Sequence, residues 1–110
     1  SKPLPVVNVS LTKAFLAKGI TIVDIRDDAE WKKVGVLPGS HLLTYEYEEM
    51  FLKKIEQLVS KDETFALLSE SGEISAKVAQ LLATHGFNHV INLVGGMKQG
   101  LKNKIPLVHL

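Results

Sequence analysis

Residues 67–75, Leu67-Leu68-Ser69-Glu70-Ser71-Gly72-Glu73-Ile74-Ser75, have the spacing of a loop that could do chemistry on an anion. A strand-like run from Thr64 to Leu68 feeds a short polar loop with one glycine, and a helical pattern follows from about Ser75 to Thr84. Strand, loop and helix in that order aim successive backbone N–H groups at one spot with a helix N-terminus behind it, which favours a bound or developing negative charge. The side chains oppose this. Glu70 and Glu73 add two carboxylates, and each within about 5 Å of an anion costs about 1 to 3 kcal/mol between water-like and surface-like dielectric. Ser69 needs a base within hydrogen-bond reach to act as a nucleophile. The nearest histidines in sequence, His85 and His89, fall at the far end of the next helix and in the following strand, and are expected to be remote. Arg26 is the only arginine, so no other residue offers a bidentate fork to an oxyanion.

The elements that must position this loop follow from periodicity. Val6 to Val9 reads as a first strand, with Ser10 as N-cap of a short helix through Lys18 that Gly19 ends. Thr21 to Ile25 is a β-branched buried strand, and Asp28 to Val34 a brief helix carrying Glu30 and Trp31 before turns at Gly35 and Pro38-Gly39. His41 to Thr44 reads as another short strand. Apolar residues at Tyr47, Met50, Phe51, Ile55, Leu58 and Val59 predict a helix over residues 45–59, with Glu46, Glu48 and Glu49 early and Lys53 and Lys54 later. A helix over Ala76 to Thr84 stops at Gly86, Val90 to Leu93 gives a last strand, Gly95-Gly96 opens a final helical turn or two, and Ile105-Pro106 begins an extended tail.

Strands alternating with helices predict an α/β fold: a parallel sheet of about five strands covered by helices on both faces. In such sheets the functional crevice lies beyond the carboxyl ends of the strands, so the loops at 26–28, 69–74 and 94–96 should converge. Asp24 and Arg26 line that crevice or, as the stronger expectation, form a structural ion pair with Glu30 nearby. Trp31 is expected to pack over the sheet edge and pin the Pro38-Gly39 turn. Gly95 and Gly96 are expected to serve backbone geometry beside the cradle.

The 110 residues suit one domain spanning 1–110, and 45% apolar with 23% charged residues is ordinary globular composition. Thirteen basic and 12 acidic residues spread along the chain give a net charge of +1 and no basic stripe, which argues against nucleic acid as a partner. The absence of cysteine removes disulfides, thiolate chemistry and cysteine metal sites. His41, His85, His89 and His109 lack mutual metal-ligand spacing, so no metal and no cofactor is expected. No apolar run approaches the roughly 20 residues of a membrane span. A cytoplasmic location is the resulting expectation; the sequence opens on Ser1, which leaves room for a removed signal segment or further domains.

The order Val23-Asp24-Ile25-Arg26, then Glu30-Trp31, then Gly35-Val36-Leu37-Pro38-Gly39-Ser40 resembles the opening signature of the rhodanese-like domain family. Gly72 and Ser75, His85-Gly86-Phe87 and Asn92-Leu93-Val94-Gly95-Gly96 extend the resemblance over about residues 6–100. It implies a three-layer rhodanese-like sandwich. In that family the loop opens with a cysteine that accepts sulfane sulfur from a donor such as thiosulfate, holds it as a persulfide and passes it on. An arginine follows the loop glycine by two residues. Here Ser69 stands at the cysteine position and Ile74 at the arginine position, with Glu70 where the family is frequently basic. Val36 replaces a frequent histidine, and no tryptophan follows Gly95-Gly96.

Oxygen forms no stable equivalent of the persulfide carrier, so the resemblance implies a catalytically silent domain. Residues 69–75 would then serve as an interaction or regulatory surface, with Glu70 and Glu73 either a solvated loop or a docking site for a basic protein segment. The alternative is a sulfurtransferase in which Ser69 replaces the cysteine by a single substitution, although one change does not also produce Glu70, Glu73 and Ile74. A phosphate-type site of the related phosphatase branch is a third reading, weakened because that branch needs a longer loop and the same cysteine and arginine. The oligomeric state is not set by the sequence.

Overall fold

The computed structural model describes residues 3–110. Five strands form one parallel sheet in the order β1-β5-β4-β2-β3: β1 (Val7–Ser10), β2 (Thr21–Asp24), β3 (His41–Leu42), β4 (Thr64–Leu68) and β5 (His89–Val94). Helices α1 (Lys13–Leu16), α2 (Asp28–Val34), α3 (Glu48–Leu58), α4 (Glu73–Thr84) and α5 (Gly96–Lys102) alternate with the strands.

Strand β4 shows why the sheet is central. Phe65 and Leu67 point to one face, Ala66 and Leu68 to the other, and all four are fully buried. A strand covered on both sides loses the apolar–polar alternation of a half-exposed one. On the first face Phe51 and Ile55 of α3 and Val78, Ala79 and Leu82 of α4 pack on Val23, Phe65, Leu67 and Val90. On the second, Phe15 of α1 and Met97 of α5 join Leu11, Leu37 and Ile105 on Ile22, Ala66, Leu68, Ile91 and Leu93. Each fully buried leucine or phenylalanine contributes about 1.5–3 kcal/mol over leaving it exposed. These two clusters hold the three layers. The chain after α5 returns along the surface, where Val108 and Val36 exchange backbone hydrogen bonds of 2.8 and 2.9 Å in an antiparallel bridge.

Several boundaries differ from the sequence expectation. Ser10 lies inside β1, and Thr12 caps α1 by accepting the Phe15 N–H at 3.0 Å; the helix ends at Leu16, short of Lys18. Helix α3 begins at Glu48 rather than Tyr45, because residues 43–45 continue beside β2: the Leu43 and Tyr45 N–H groups bond the Asp24 and Ile25 carbonyls. Helix α4 begins at Glu73, so Glu73, Ile74 and Ser75 form its first turn rather than the loop. No described helix is long and apolar enough to cross a membrane.

Gly96 sits at φ +59°, and a Cβ there would collide with the Ser69 carbonyl oxygen and lie 2.7 Å from that of Glu70. Gly19 also has positive φ, at +69°, but faces open space. Gly96→Ala should therefore lower unfolding free energy by at least ~2 kcal/mol, and Gly19→Ala by only ~1 kcal/mol, in urea titrations of the two variants.

Candidate functional site

Strand β4 lies between β2 and β5, so its carboxyl end opens at the centre of the sheet edge. The loops after β2, β4 and β5 meet there. Arg26 reaches the loop after β4, and the N-terminus of α5 takes two of that loop's carbonyls. The Met97 N–H donates to the Ser69 carbonyl at 2.9 Å and the Lys98 N–H to that of Glu70 at 3.0 Å.

Ser69 is 4% exposed, and its hydroxyl is the hub of a buried network. Its Oγ accepts the Gly72 and Ser75 N–H groups, each at 3.2 Å. Helix α4 starts on Gly72, which has no side chain to cap it, so Ser69 supplies the oxygen for the N–H three residues into the helix. Ser69 Oγ in turn donates to Ser75 Oγ at 2.8 Å, and Ser75 Oγ donates to Asn92 Oδ1 at 2.6 Å. Asn92 Nδ2 donates to Asn8 Oδ1 at 3.0 Å, across the register pair that joins β5 to β1. The Ser69 proton is thus directed at another hydroxyl, and neither a carboxylate nor an imidazole takes part in its hydrogen bonds.

Arg26 is equally committed. Its Nε and Nη2 donate to the two oxygens of Asp24 at 3.1 and 2.9 Å, and Nη2 also donates to the Gly35 carbonyl at 2.8 Å. Both side chains of this ion pair are fully buried. Its remaining nitrogen, Nη1, faces Glu70 Oε1 at 3.6 Å, an ion pair too long for a hydrogen bond. Neither atom has another partner among the described residues.

Asp24 and Arg26 do form the expected structural pair, but its third member is Glu70 rather than Glu30. Glu30 instead closes a capping box with Asp27, giving and taking hydrogen bonds of 2.8 and 3.1 Å at the start of α2. Of the remaining loop residues, Gly72 and Ser75 are buried within the network, whereas Ser71, Glu73 and Ile74 are exposed. Gly95 caps α5 in the left-handed region at φ +80°, and a Cβ on Gly72 would stand 2.7 Å from its nitrogen, so these backbones touch. Trp31 lines a cleft with Leu42, Tyr47 and Met50, and the Pro38-Gly39 turn borders a second cleft with Leu16, Ile20 and Pro106. Asn8 was not singled out from the sequence, and Asn92 entered only as part of the Asn92–Gly96 stretch of the resemblance. An asparagine between Ile91 and Leu93 in a buried strand was the available signal, since a buried amide needs partners.

The charge at this edge is one-sided. Parallel strands with returning helices place helix N-termini here, and these carry Asp27, Asp28, Glu30, Glu48, Glu49 and Glu73, with Glu46 and Glu70 in the adjoining loops. Lys13 and Lys98 are the lysines in a first helical turn, and Lys32 reaches back to pair with Asp28 at 2.9 Å, while Lys33 and Lys102 sit in last turns. Among the described residues no three of His, Asp and Glu gather as metal ligands.

A family model described as a rhodanese-like domain matches residues 9–103. The chain belongs to the rhodanese-like domain family. Among solved structures, a rhodanese-like domain protein from Staphylococcus aureus is 26% identical, with 83% of this chain and 89% of that one covered and a TM-score of 0.65. A Rhodopseudomonas palustris protein of unknown function, described as a possible tyrosine phosphatase, is 27% identical over 90% of this chain and 83% of its own, with a TM-score of 0.70. The solution structure of a rhodanese-like domain from Anabaena shares the fold at a TM-score of 0.76, with 21% identity over 100% of this chain and 81% of that one. Comparison with curated proteins gives no match.

In this rhodanese-like domain the two ion pairs of Arg26 differ in their energetics. Removing Asp24 strands a buried guanidinium, so Asp24→Ala should cost ~3–5 kcal/mol of unfolding free energy by urea titration. Glu70 is one-third exposed and makes no hydrogen bond to Arg26, and Glu70→Gln should cost less than ~1 kcal/mol. Ser69→Ala, which frees two N–H groups, should fall between them at ~1–3 kcal/mol.

Proposed function

We propose that this domain keeps the rhodanese-like framework without sulfur transfer and uses its crevice edge to bind a basic protein segment. One observation carries the reading: Ser69 Oγ occupies the amide cradle itself, accepting the Gly72 and Ser75 N–H groups that would otherwise meet an anion. The next two amides at this edge, of Met97 and Lys98, are taken by the Ser69 and Glu70 carbonyls. An incoming thiosulfate would find no free guanidinium fork, since Asp24 and Gly35 hold Arg26, and would meet Glu70 and Glu73. A sulfur carrier needs a thiolate, which a hydroxyl does not replace. The same carboxylates favour lysine or arginine side chains, and complementary charge speeds and orients such an encounter.

A second reading, a sulfurtransferase whose nucleophilic cysteine is replaced by Ser69, draws support from the cradle's dimensions. Both N–H···Oγ distances are 3.2 Å, at the long end for oxygen, and would suit a larger sulfur.

The purified protein should form thiocyanate from thiosulfate and cyanide no faster than buffer. Turnover that disappears in Ser69→Ala, with circular dichroism showing that variant folded, would overturn the silent reading. Ser69→Cys separates the two: mass spectrometry after thiosulfate treatment should show no added sulfur if the surrounding loop is also unsuited, whereas a persulfide would favour the second.

A further inference from the structure

We infer that the cleft between α2, β3 and α3 anchors an apolar side chain of the basic segment, an inference that rests on the interaction reading above. The cleft has a volume of about 270 Å³ and is walled by Trp31, Leu42, Tyr47 and Met50. Tyr47 is 66% exposed, Met50 54% and Leu42 39%. Large apolar side chains left in water around one concavity mark a contact surface, and Trp, Tyr and Met are the types that interfaces concentrate. The Trp31 indole Nε1 is buried with no acceptor among the described residues, so folding leaves this wall incompletely satisfied. The volume lies just below the roughly 300–1,000 Å³ of small-molecule pockets, which fits one inserted side chain better than a whole cofactor.

Charge selects the occupant. Glu46 lines the cleft, and Glu48 and Glu49 follow in the first turn of α3; Lys54 is the lining cation, almost two turns along that helix. One residue of the cleft wall is tied to the crevice residue Arg26. That residue, Thr44, donates to the Arg26 carbonyl at 2.7 Å, and Arg26 faces Glu70. A short segment with one apolar residue flanked by lysines or arginines therefore places its anchor beside Tyr47 and Met50, with cations toward Glu46, Glu48 and Glu70.

Trp31 is the only tryptophan, so its emission reports this cleft alone. The test titrates the full chain with the capped peptide acetyl-Lys-Lys-Leu-Lys-Lys-amide, up to millimolar concentration, and with its counterpart carrying Glu for every Lys. The basic peptide should shift the emission saturably and the acidic one should not. Met50→Ser and Tyr47→Ser, both at exposed positions, should each weaken binding about fivefold or more. No response to the basic peptide, or an equal response to the acidic one, overturns the inference. So does a change of emission with protein concentration alone, which would assign the cleft to a second copy. Binding weakened by Glu70→Gln with Glu73→Gln, but unchanged in the Tyr47 and Met50 variants, would sink the cleft and keep the loop reading; the converse would keep the cleft and sink the loop.

Discussion

The peptide units of Ser69 and Glu70 are the point on which the edge of this sheet depends. Strand β4 ends at Leu68, and both following helices start on hydrogen bonds to the next two residues. Ser69 Oγ takes the amide three residues into α4, and the Ser69 and Glu70 carbonyls take the second and third amides of α5. Helix N-termini leave donors without internal partners, and buried ends must find them elsewhere. Here neither capping glycine has a side chain to offer, so the loop is drawn against both helices. That approach requires Gly72, Gly95 and Gly96 at positive φ with their backbones in contact, which couples catalytic-type loop geometry to the packing of α4 and α5.

A local rule also produces a global field. Acidic residues stabilise helix N-termini by a few tenths of a kcal/mol to about 1 kcal/mol each. In an all-parallel sheet with returning helices those termini share one edge, so the small local preferences add up to a negative rim on a chain whose net charge is only +1. The backbone dipoles at that rim favour anions while the side chains favour cations. Four of the amides there, those of Gly72, Ser75, Met97 and Lys98, are already taken by Ser69 Oγ and by the Ser69 and Glu70 carbonyls, which leaves the acidic side chains a larger share of the field at this rim.

The fold was legible because its signal is periodic. The apolar run at 64–68 and the helical spacing at 76–84 mark β4 and α4, and the alternation of such elements leads to a parallel sheet. Boundaries were less legible where side chains compete for the same backbone: Ser10 and Thr12 are both acceptable caps, and the choice follows from β1 extending one residue further beside β5. At the site, sequence spacing indicated that Asp24, Arg26 and residues 69–75 converge. It did not rank Glu30 against Glu70 as the partner of Arg26, although Asp27 and Glu30, three residues apart around a helix start at Asp28, have the capping-box spacing that occupies Glu30. Asn8 and Asn92 lie 84 residues apart and meet through strand order alone, which no local pattern encodes.

Arg26 shows how the framework holds a buried arginine with partners from the chain alone. A buried guanidinium is tolerable only when its donors and charge are matched. Asp24 supplies the charge and two acceptors, and Gly35 supplies a carbonyl from a turn that the Val36–Val108 bridge holds in place. These partners are satisfied whatever occupies the crevice, so the fold keeps its arginine without any ligand. Only Nη1 is left over, and Glu70 stands before it at 3.6 Å as an anion supplied by the chain itself. An external oxyanion would compete with that tethered carboxylate for one nitrogen, whereas an external cation would meet Glu70 with its partner held at no more than loose contact. The proposed preference for positive charge at this position therefore asks for no loosening of the core, since the Asp24 and Gly35 contacts of Arg26 stay as they are.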